Sequence, residues 1–368
     1  MRMNRRELLM AGATLAGAAA LPRLAAARQG YIERPSEWRQ FETVTRLDLL
    51  NPQGRSQAWV PVPSVNEPDW FKSAGSEWQT NAVSAKIERD ARYGAEMIHF
   101  EWKADEAAPF AQVTSRIATR DRATDFAASG KAPPLSEADR TVYTAGTDLI
   151  RIDGIVKETS DKIIAGANAK TDVEKAAAIY QWVVDNTFRN AKTRGCGVGD
   201  VAAMLKTGDL GGKCADLNAI YVGLARAAGL PARDVYGIRV APSKFGYKSL
   251  GANSETITKA QHCRAEVYLD GLGWVPVDPA DVRKVVLEEP PSNLAMDDAK
   301  VVAARNTLFG AWEGNWLAYN MAHDVELSGS NGTRVGFLMY PQALTAAGLA
   351  DCLDADQFKY VITSRQVT

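Results

Sequence analysis

The sequence predicts an α+β fold in which helices packed on an antiparallel sheet follow a small all-β sandwich. Three observations predict it. Short alternating segments with turn punctuation fill residues 35–122, two helical stripes lie between residues 171 and 228, and strand-like runs joined by a tight turn follow from 232 to 277. At 368 residues the chain exceeds what one hydrophobic core usually serves, so more than one domain is expected.

The N-terminus stands apart from this fold. Arg2, Arg5 and Arg6 form a basic region, an Ala/Gly-rich apolar run covers residues 8–21, and Ala25, Ala26 and Ala27 offer a small-residue cleavage site. The run is too short to span a bilayer. Asn4-Arg5-Arg6-Glu7-Leu8-Leu9-Met10 has the pattern of a twin-arginine signal, so residues 1–27 are expected to be a signal peptide and the mature chain to be exported to the periplasm without a transmembrane segment. A general secretory signal or an uncleaved anchor is the other reading of the same residues.

Residues 41–50 place Phe41, Thr43, Thr45, Leu47 and Leu49 on one face, as a strand does. Further runs at 57–62, 84–89, 96–102 and 112–119 complete a sandwich over 35–122. His99 lies inside one of these apolar runs with no cysteine or carboxylate pattern around it and reads as structural. Residues 123–140, with Gly130 and Pro133-Pro134, read as a linker. The catalytic domain is expected over 141–290 and an extension packed on it over 291–368, with a helix near 307–317 and strands at 334–340 and 358–363.

Within the second unit, Thr171-Asp172-Val173-Glu174 is a capping-box pattern, and Val173, Ala176, Ala177, Tyr180, Val183 and Val184 recur at helical spacing. A second stripe runs through Leu217, Ile220, Tyr221, Leu224, Ala225 and Ala228 and stops at Gly229 and Pro231, which starts that helix near Cys214. Residues 232–240, 263–269 and 274–277 read as strands, the last two joined at Asp270-Gly271-Leu272-Gly273.

Composition excludes several functions. Formal net charge is -1 and charged residues are 24%, so nothing marks a nucleic-acid or anionic-membrane partner. Cys196, Cys214, Cys263 and Cys352 are too few for a disulfide framework, and no C-x-x-C pair suggests a zinc ribbon or a thioredoxin-like site.

One cysteine has the setting of a nucleophile. A thiolate is stabilised by the positive end of a helix dipole and by an adjacent imidazolium. Cys214 follows Gly211-Gly212-Lys213 and begins a helix, so unpaired backbone N–H groups face its sulfur and could also serve an oxyanion. Taken alone, a small residue buried at a helix start is the commoner reading. His262 opens a strand in which His262, Arg264, Glu266 and Tyr268 alternate with Cys263, Ala265, Val267 and Leu269. It is the best-placed base; His323 lacks such a hairpin context. Asp278 would fix the far ring nitrogen of His262.

The hairpin makes this a geometric expectation. A two-residue turn at Gly271-Leu272 would set residue 265 opposite 278 and leave Asp278 on the wrong face for His262. A three-residue loop over residues 270–272 sets 264 opposite 278, leaving His262 diagonal to Asp278 at roughly 7–8 Å between backbones, within side-chain reach.

Three segments now resemble one family. Gly212-Lys213-Cys214-Ala215-Asp216-Leu217-Asn218 with residues 224–233 is similar to the nucleophile helix of the transglutaminase-like superfamily. His262 with residues 266–269, then Gly273-Trp274-Val275-Pro276-Val277-Asp278-Pro279, resembles its histidine and aspartate strands. The resemblance covers residues 170–282 and implies a papain-like core with a Cys214, His262, Asp278 mechanism, as in exported bacterial transglutaminase-like cysteine peptidases and acyltransferases. It departs where Arg264 replaces the aromatic residue common two positions after the histidine, and no amide side chain just before Cys214 suggests an oxyanion hole.

The expected function is thiol-dependent acyl transfer on amide or peptide bonds of a peptide or protein substrate, resolved by water. An amine-linking transglutaminase and a non-catalytic exported binding protein are the alternatives. The chemistry needs no metal or organic cofactor, although Cys196, Cys214, His262 and Cys263 are a conceivable thiolate metal set. Asp216 and Asn218 read as capping or helix-surface residues.

Overall fold

Alternation along Arg39–Asp48 is unbroken, and this strand lies inside a four-stranded antiparallel sheet ordered Tyr360–Gln366, Arg39–Asp48, Phe110–Thr119, Phe71–Thr80. The computed structural model describes residues 36–367 apart from 51, 53, 128 and 129; the expected signal, residues 1–27, lies outside the described residues. A five-stranded sheet ordered Gly348–Leu349, Gln342–Thr345, Ser56–Pro61, Glu96–Trp102, Ser84–Arg89 faces the first. Phe41, Leu47 and Val113 of one sheet share a core with Val60, Ile98 and Phe100 of the other. Burying each such large apolar side chain stabilises by roughly 1.5–3 kcal/mol. The strand Phe71–Thr80 has no sequence signature: most of its residues are at least partly exposed, and the register slips between Ser73 and Ser76, where Gly75 takes φ 92°.

The second unit is built on a four-stranded antiparallel sheet ordered Gly273–Val277, Gln261–Leu269, Ala232–Arg239, Trp316–Asn320. The helix Cys214–Ala227 packs on it, and every residue of that helix is buried. Leu217 lies in the same core as Cys263, while Ile220, Tyr221 and Leu224 pack with Ala265, Val267, Val275 and Val277. Between the large positions the helix carries Ala219, Val222, Gly223 and Ala227, apolar and small enough for burial on its remaining faces, against the helices Ile155–Gly166 and Asp172–Asn186. The capping box of Asp172–Asn186 forms as expected, with Thr171 and Glu174 exchanging bonds.

The last eighty residues correct the expectation of an extension packed on the catalytic domain. Four of their strands enter the three larger sheets: Trp316–Asn320 edges the second unit's sheet, Gln342–Thr345 and Gly348–Leu349 extend one sandwich sheet, and Tyr360–Gln366 edges the other. Apart from the local hairpin to Gly348–Leu349, these pairings join residues from 77 (Arg239 with Trp316) to 325 (Phe41 with Gln366) positions apart, which local periodicity does not register. The helix expected at 307–317 is Ala299–Thr307 instead. Gly310, at φ 114°, and Gly314, where an added Cβ would lie 2.4 Å from the Arg120 carbonyl carbon, let the chain leave helical geometry and run close to the sandwich. The expected linker ends in the helix Glu137–Thr144, capped by Ser136. Among the described residues no helix is long and apolar enough to cross a membrane.

Candidate active site

Gly212 and Gly197 are both places where a side chain would collide with Asp216. An added Cβ would lie 2.5 Å from the Asp216 side chain at Gly212, and 1.8 Å from its Oδ2 at Gly197, where φ is 97°. Freed of such side chains, the backbone wraps the carboxylate. Asp216 accepts N–H groups from Lys213 at 2.9 Å, Val198 at 2.8 Å and Gly199 at 2.9 Å. Burial raises the pKa of Asp216 while these donors pull it back. The carboxylate thereby ties the Gly-rich loop to the start of the Cys214 helix, and Ala215 N–H completes the tie by donating to Cys196 O at 2.9 Å. Asp216 is a capping residue, but a buried one that shapes the site.

The hairpin takes the three-residue form. Leu269 pairs with Gly273 and Ala265 with Val277, so the register carried one step further sets Arg264 opposite Asp278. The chain then turns, and Asp278 caps the helix Pro279–Glu288 by accepting the Asp281 N–H at Oδ1, 3.1 Å. Its Oδ2 lies 2.7 Å from His262 Nε2. That contact occupies Nε2 and leaves Nδ1 as the ring atom available to a sulfur.

Behind this pair stands a second carboxylate. Asp281 Oδ1 is 3.4 Å from His262 Nε2, and Asp281 is gripped by Arg239 through contacts of 2.6 and 2.8 Å. Asn218 donates Nδ2 to Cys263 O at 2.8 Å and to Asp278 Oδ1 at 3.3 Å, and accepts Ala280 N–H. Trp316 Nε1 donates to His262 O at 2.9 Å. Asn218 is fully buried, so its expected helix-surface position is corrected: it links the Cys214 helix to both the His262 strand and Asp278.

Protonation follows from this packing. Burial and Arg239 push His262 down, but Asp281 and Asp278 outweigh them and hold the imidazolium above its ordinary range. Arg239 and His262 hold Asp281 well below the carboxylate range against burial, whereas burial and the neighbouring Asp281 raise Asp278. The Cys196 and Cys263 thiols beside it, then His262, hold Cys214 well below the ordinary thiol range despite burial. The cost falls on its neighbours: Cys196, whose Sγ lies 3.5 Å from Gln261 O, is raised chiefly by the adjacent Cys214, and Cys263 chiefly by burial.

His262, Asp278 and Asp281 bring potential metal-ligand atoms within 4.8 Å of one another. Arg239, His262, Asn218 and the Asp281 N–H already engage these carboxylates, so the cluster is satisfied as an ion-pair and hydrogen-bond network. All four cysteines are free thiols.

Cys214, Cys196 and His262 open on one cavity of about 530 Å³. Gln261, next to His262, also lines it, and its Nε2 is buried with no hydrogen-bond partner among the described residues. Nothing in the sequence singles out this amide, because it precedes the histidine rather than the cysteine. The other histidines lie elsewhere. His99 is stacked on Trp59 in the sandwich with Nε2 3.0 Å from Gln57 Oε1. His323 is buried beside Tyr236 and Asp234.

His262 does not open a solvated face. The whole strand Gln261–Leu269 beyond its first residue is buried. Arg264 lies over Trp316 and Trp312, and Glu266 is held between Arg122 and Arg233. The sandwich and the Trp316 strand cover the charged side, and paired charges replace water there.

Residues 157–279 match the model of the transglutaminase-like superfamily. An uncharacterized protein of Haemophilus influenzae (strain ATCC 51907 / DSM 11121 / KW20 / Rd) is 37% identical over 344 residues, covering 89% of this chain and 91% of that one. The chain belongs to the transglutaminase-like superfamily. Among solved structures, a candidate cysteine protease from Cytophaga hutchinsonii has the same fold, with TM-score 0.57 and 11% identity over 91% of this chain and 93% of that one. A weaker likeness, TM-score 0.33 and 15% identity over 72% of this chain and 92% of that one, is to the periplasmic domain of TgpA from Pseudomonas aeruginosa. The matched region of this transglutaminase-like chain holds Cys214, His262 and Asp278, whereas Asp281 and Trp316 lie beyond it.

Proposed function

We propose that this protein is a thiol-dependent acyl-transfer enzyme that cleaves amide or peptide bonds, with Cys214 as nucleophile, His262 as acid and base, and Asp278 as orienter. The observation that carries the reading is the junction of a helix-start cysteine and a histidine held at 2.7 Å by Asp278, both opening on one cavity. The Cys214 thiolate adds to the carbonyl carbon of the substrate. The oxyanion is received by the Cys214 backbone N–H and by Gln261 Nε2, whose lack of a partner supports that role. His262 gives its proton to the leaving amine, and a thioester remains. Water then attacks, His262 takes its proton, and the sulfur leaves as thiolate.

Hydrolysis is favoured over amine linkage by the charge of the cavity wall. Six cationic side chains and no carboxylate line it, which disfavours entry of an ammonium acceptor and does not affect water. Incubation with a peptide library, with and without a primary amine, followed by mass analysis, tests this. Hydrolysed products are expected in both cases; amine-linked products as the main outcome would reverse the assignment. The reading includes export to the periplasm, supported by the arginine pair and apolar run of residues 1–27, and fractionation of cells with N-terminal sequencing of the mature chain tests it.

A further inference from the structure

Overall the chain is nearly neutral, with 43 Lys and Arg against 44 Asp and Glu. The cavity beside Cys214 is not. Arg189, Arg194, Lys213, Arg239, Lys259 and Lys284 line it, and among the described residues no Asp or Glu does. Carboxylates outside the wall match some of these charges: Asp281 holds Arg239, Asp351 holds Arg194, and Glu288 holds Arg189 at 2.7 Å. Lys284 reaches only the already engaged Glu288, at 3.7 Å. No ion pair to a described residue engages Lys213 or Lys259. A wall of one sign with low-dielectric backing focuses its field into the cavity.

Lys284 is largely withdrawn from water, with its nearest carboxylate 3.7 Å away. Burial first, then the nearby Arg239, push its ammonium below the ordinary range, although Asp281 and Glu288 oppose them. A buried ammonium so placed gains from an entering anion. A cavity of this volume is on the order of 10 Å across, so any group bound by these lysines lies within a residue or two of a carbonyl at Cys214.

We propose that the substrate is an acidic peptide whose carboxylate, within a residue or two of the scissile carbonyl, is bound by Lys259 and Lys284 while that carbonyl faces Cys214. The inference rests on Cys214 being the nucleophile, as proposed above. The carboxylate is either a free C-terminus or an Asp or Glu side chain; both present the same charge and geometry to two ammonium groups.

Two alkylating reagents of similar shape test the site without knowledge of the substrate: neutral iodoacetamide and anionic iodoacetate. The readout is the ratio of their rates at Cys214, relative to the same ratio for N-acetylcysteine. Intact protein is expected to favour iodoacetate by about tenfold or more over that reference. His262 contributes to this preference, so the lysine part is isolated by variants. Lys259→Gln and Lys284→Gln together are expected to lower the ratio at least about threefold, and high salt to lower it further. Lys259 is exposed, so Lys259→Gln alone gives a reading independent of any packing change at Lys284.

Protection of Cys214 from iodoacetamide then separates the two carboxylate sources. Acetyl-Ala-Ala as free acid is compared with its amide, and acetyl-Glu-amide with acetyl-Gln-amide. Greater protection by one acid form supports the proposal and names the source; no difference between acids and amides overturns it. A ratio that stays constant in the lysine variants also overturns it, since the lysines would then serve the thiolate alone. Failure of the nucleophile reading looks different: iodoacetamide itself would modify Cys214 no faster than N-acetylcysteine near neutral pH.

Discussion

Asp278 Oδ2 lies 2.7 Å from His262 Nε2, while Oδ1 of the same carboxylate caps the helix Pro279–Glu288. One side chain therefore orients the imidazole and starts the next helix, and two substitutions separate these tasks. Asp278→Asn keeps a capping oxygen but loses the negative acceptor for His262. It is expected to lower peptide turnover roughly a hundred- to ten-thousand-fold. Asp278→Ala should lose the cap as well, a further cost of about 1 kcal/mol in urea unfolding. Wild-type turnover in Asp278→Asn would remove Asp278 from the mechanism.

Arg239 and Asp281 form a buried pair behind the imidazole. Arg239→Met leaves Asp281 buried with its main partner gone, and is expected to destabilise by about 3–5 kcal/mol. Arg239→Met combined with Asp281→Leu removes both charges and should restore much of that loss in urea unfolding. Because Arg239 also pushes His262 down, Arg239→Met should shift the alkaline limb of the pH–rate profile, where the imidazolium loses its proton, toward higher pH. An unmoved limb in a folded variant would contradict the electrostatic account.

Asp234 predicts a pH dependence of stability. Burial pushes its carboxyl up to about 8, with Arg226 opposing, and both oxygens lack a hydrogen-bond partner among the described residues. In the unfolded chain it would ionise near 3.9. Between roughly pH 4 and 8 the folded state therefore keeps a proton that the unfolded state has released, so this group's contribution falls as pH rises. Asp234→Asn should gain stability over the wild type progressively across that window, by on the order of a few kcal/mol at its upper end, with little difference near pH 4. Parallel stability curves would contradict the assignment.

Asp216 anchors three backbone N–H groups. Asp216→Ala is expected to cost about 3 kcal/mol or more, since hydrogen bonds to a charged acceptor are among the stronger ones. Gly197→Ala should damage the same loop from the other side, by strain at φ 97° and by collision with Asp216. Thermal unfolding measures both losses, and a neutral Gly197→Ala would show that the loop does not hold Asp216 as described.

Much of this was legible in the sequence where interactions are local. The helix beginning at Cys214 follows from its apolar stripe and the glycines before it. Loop arithmetic narrowed Asp278 to two placements, because strand register is discrete and a one-residue change reverses faces, and the three-residue loop that forms is the one that brings it to His262. Partnerships across long separations left no local trace. Arg239 meets Asp281, Trp316 meets the His262 carbonyl, and Gln261 joins the lining of the cavity, all through tertiary pairing. The burial of His262, Arg264 and Glu266 was hidden for the same reason, since their alternation describes a polar face whether water or paired charge covers it.

The most direct test of the account is the rate of Cys214 alkylation by iodoacetamide as a function of pH, in the intact protein and in His262→Ala. Cys214 is expected to react well below the ordinary thiol range, near 8.5, and to lose that behaviour when the imidazole is removed. Ordinary thiol titration of Cys214 in the intact protein would contradict the account at its centre.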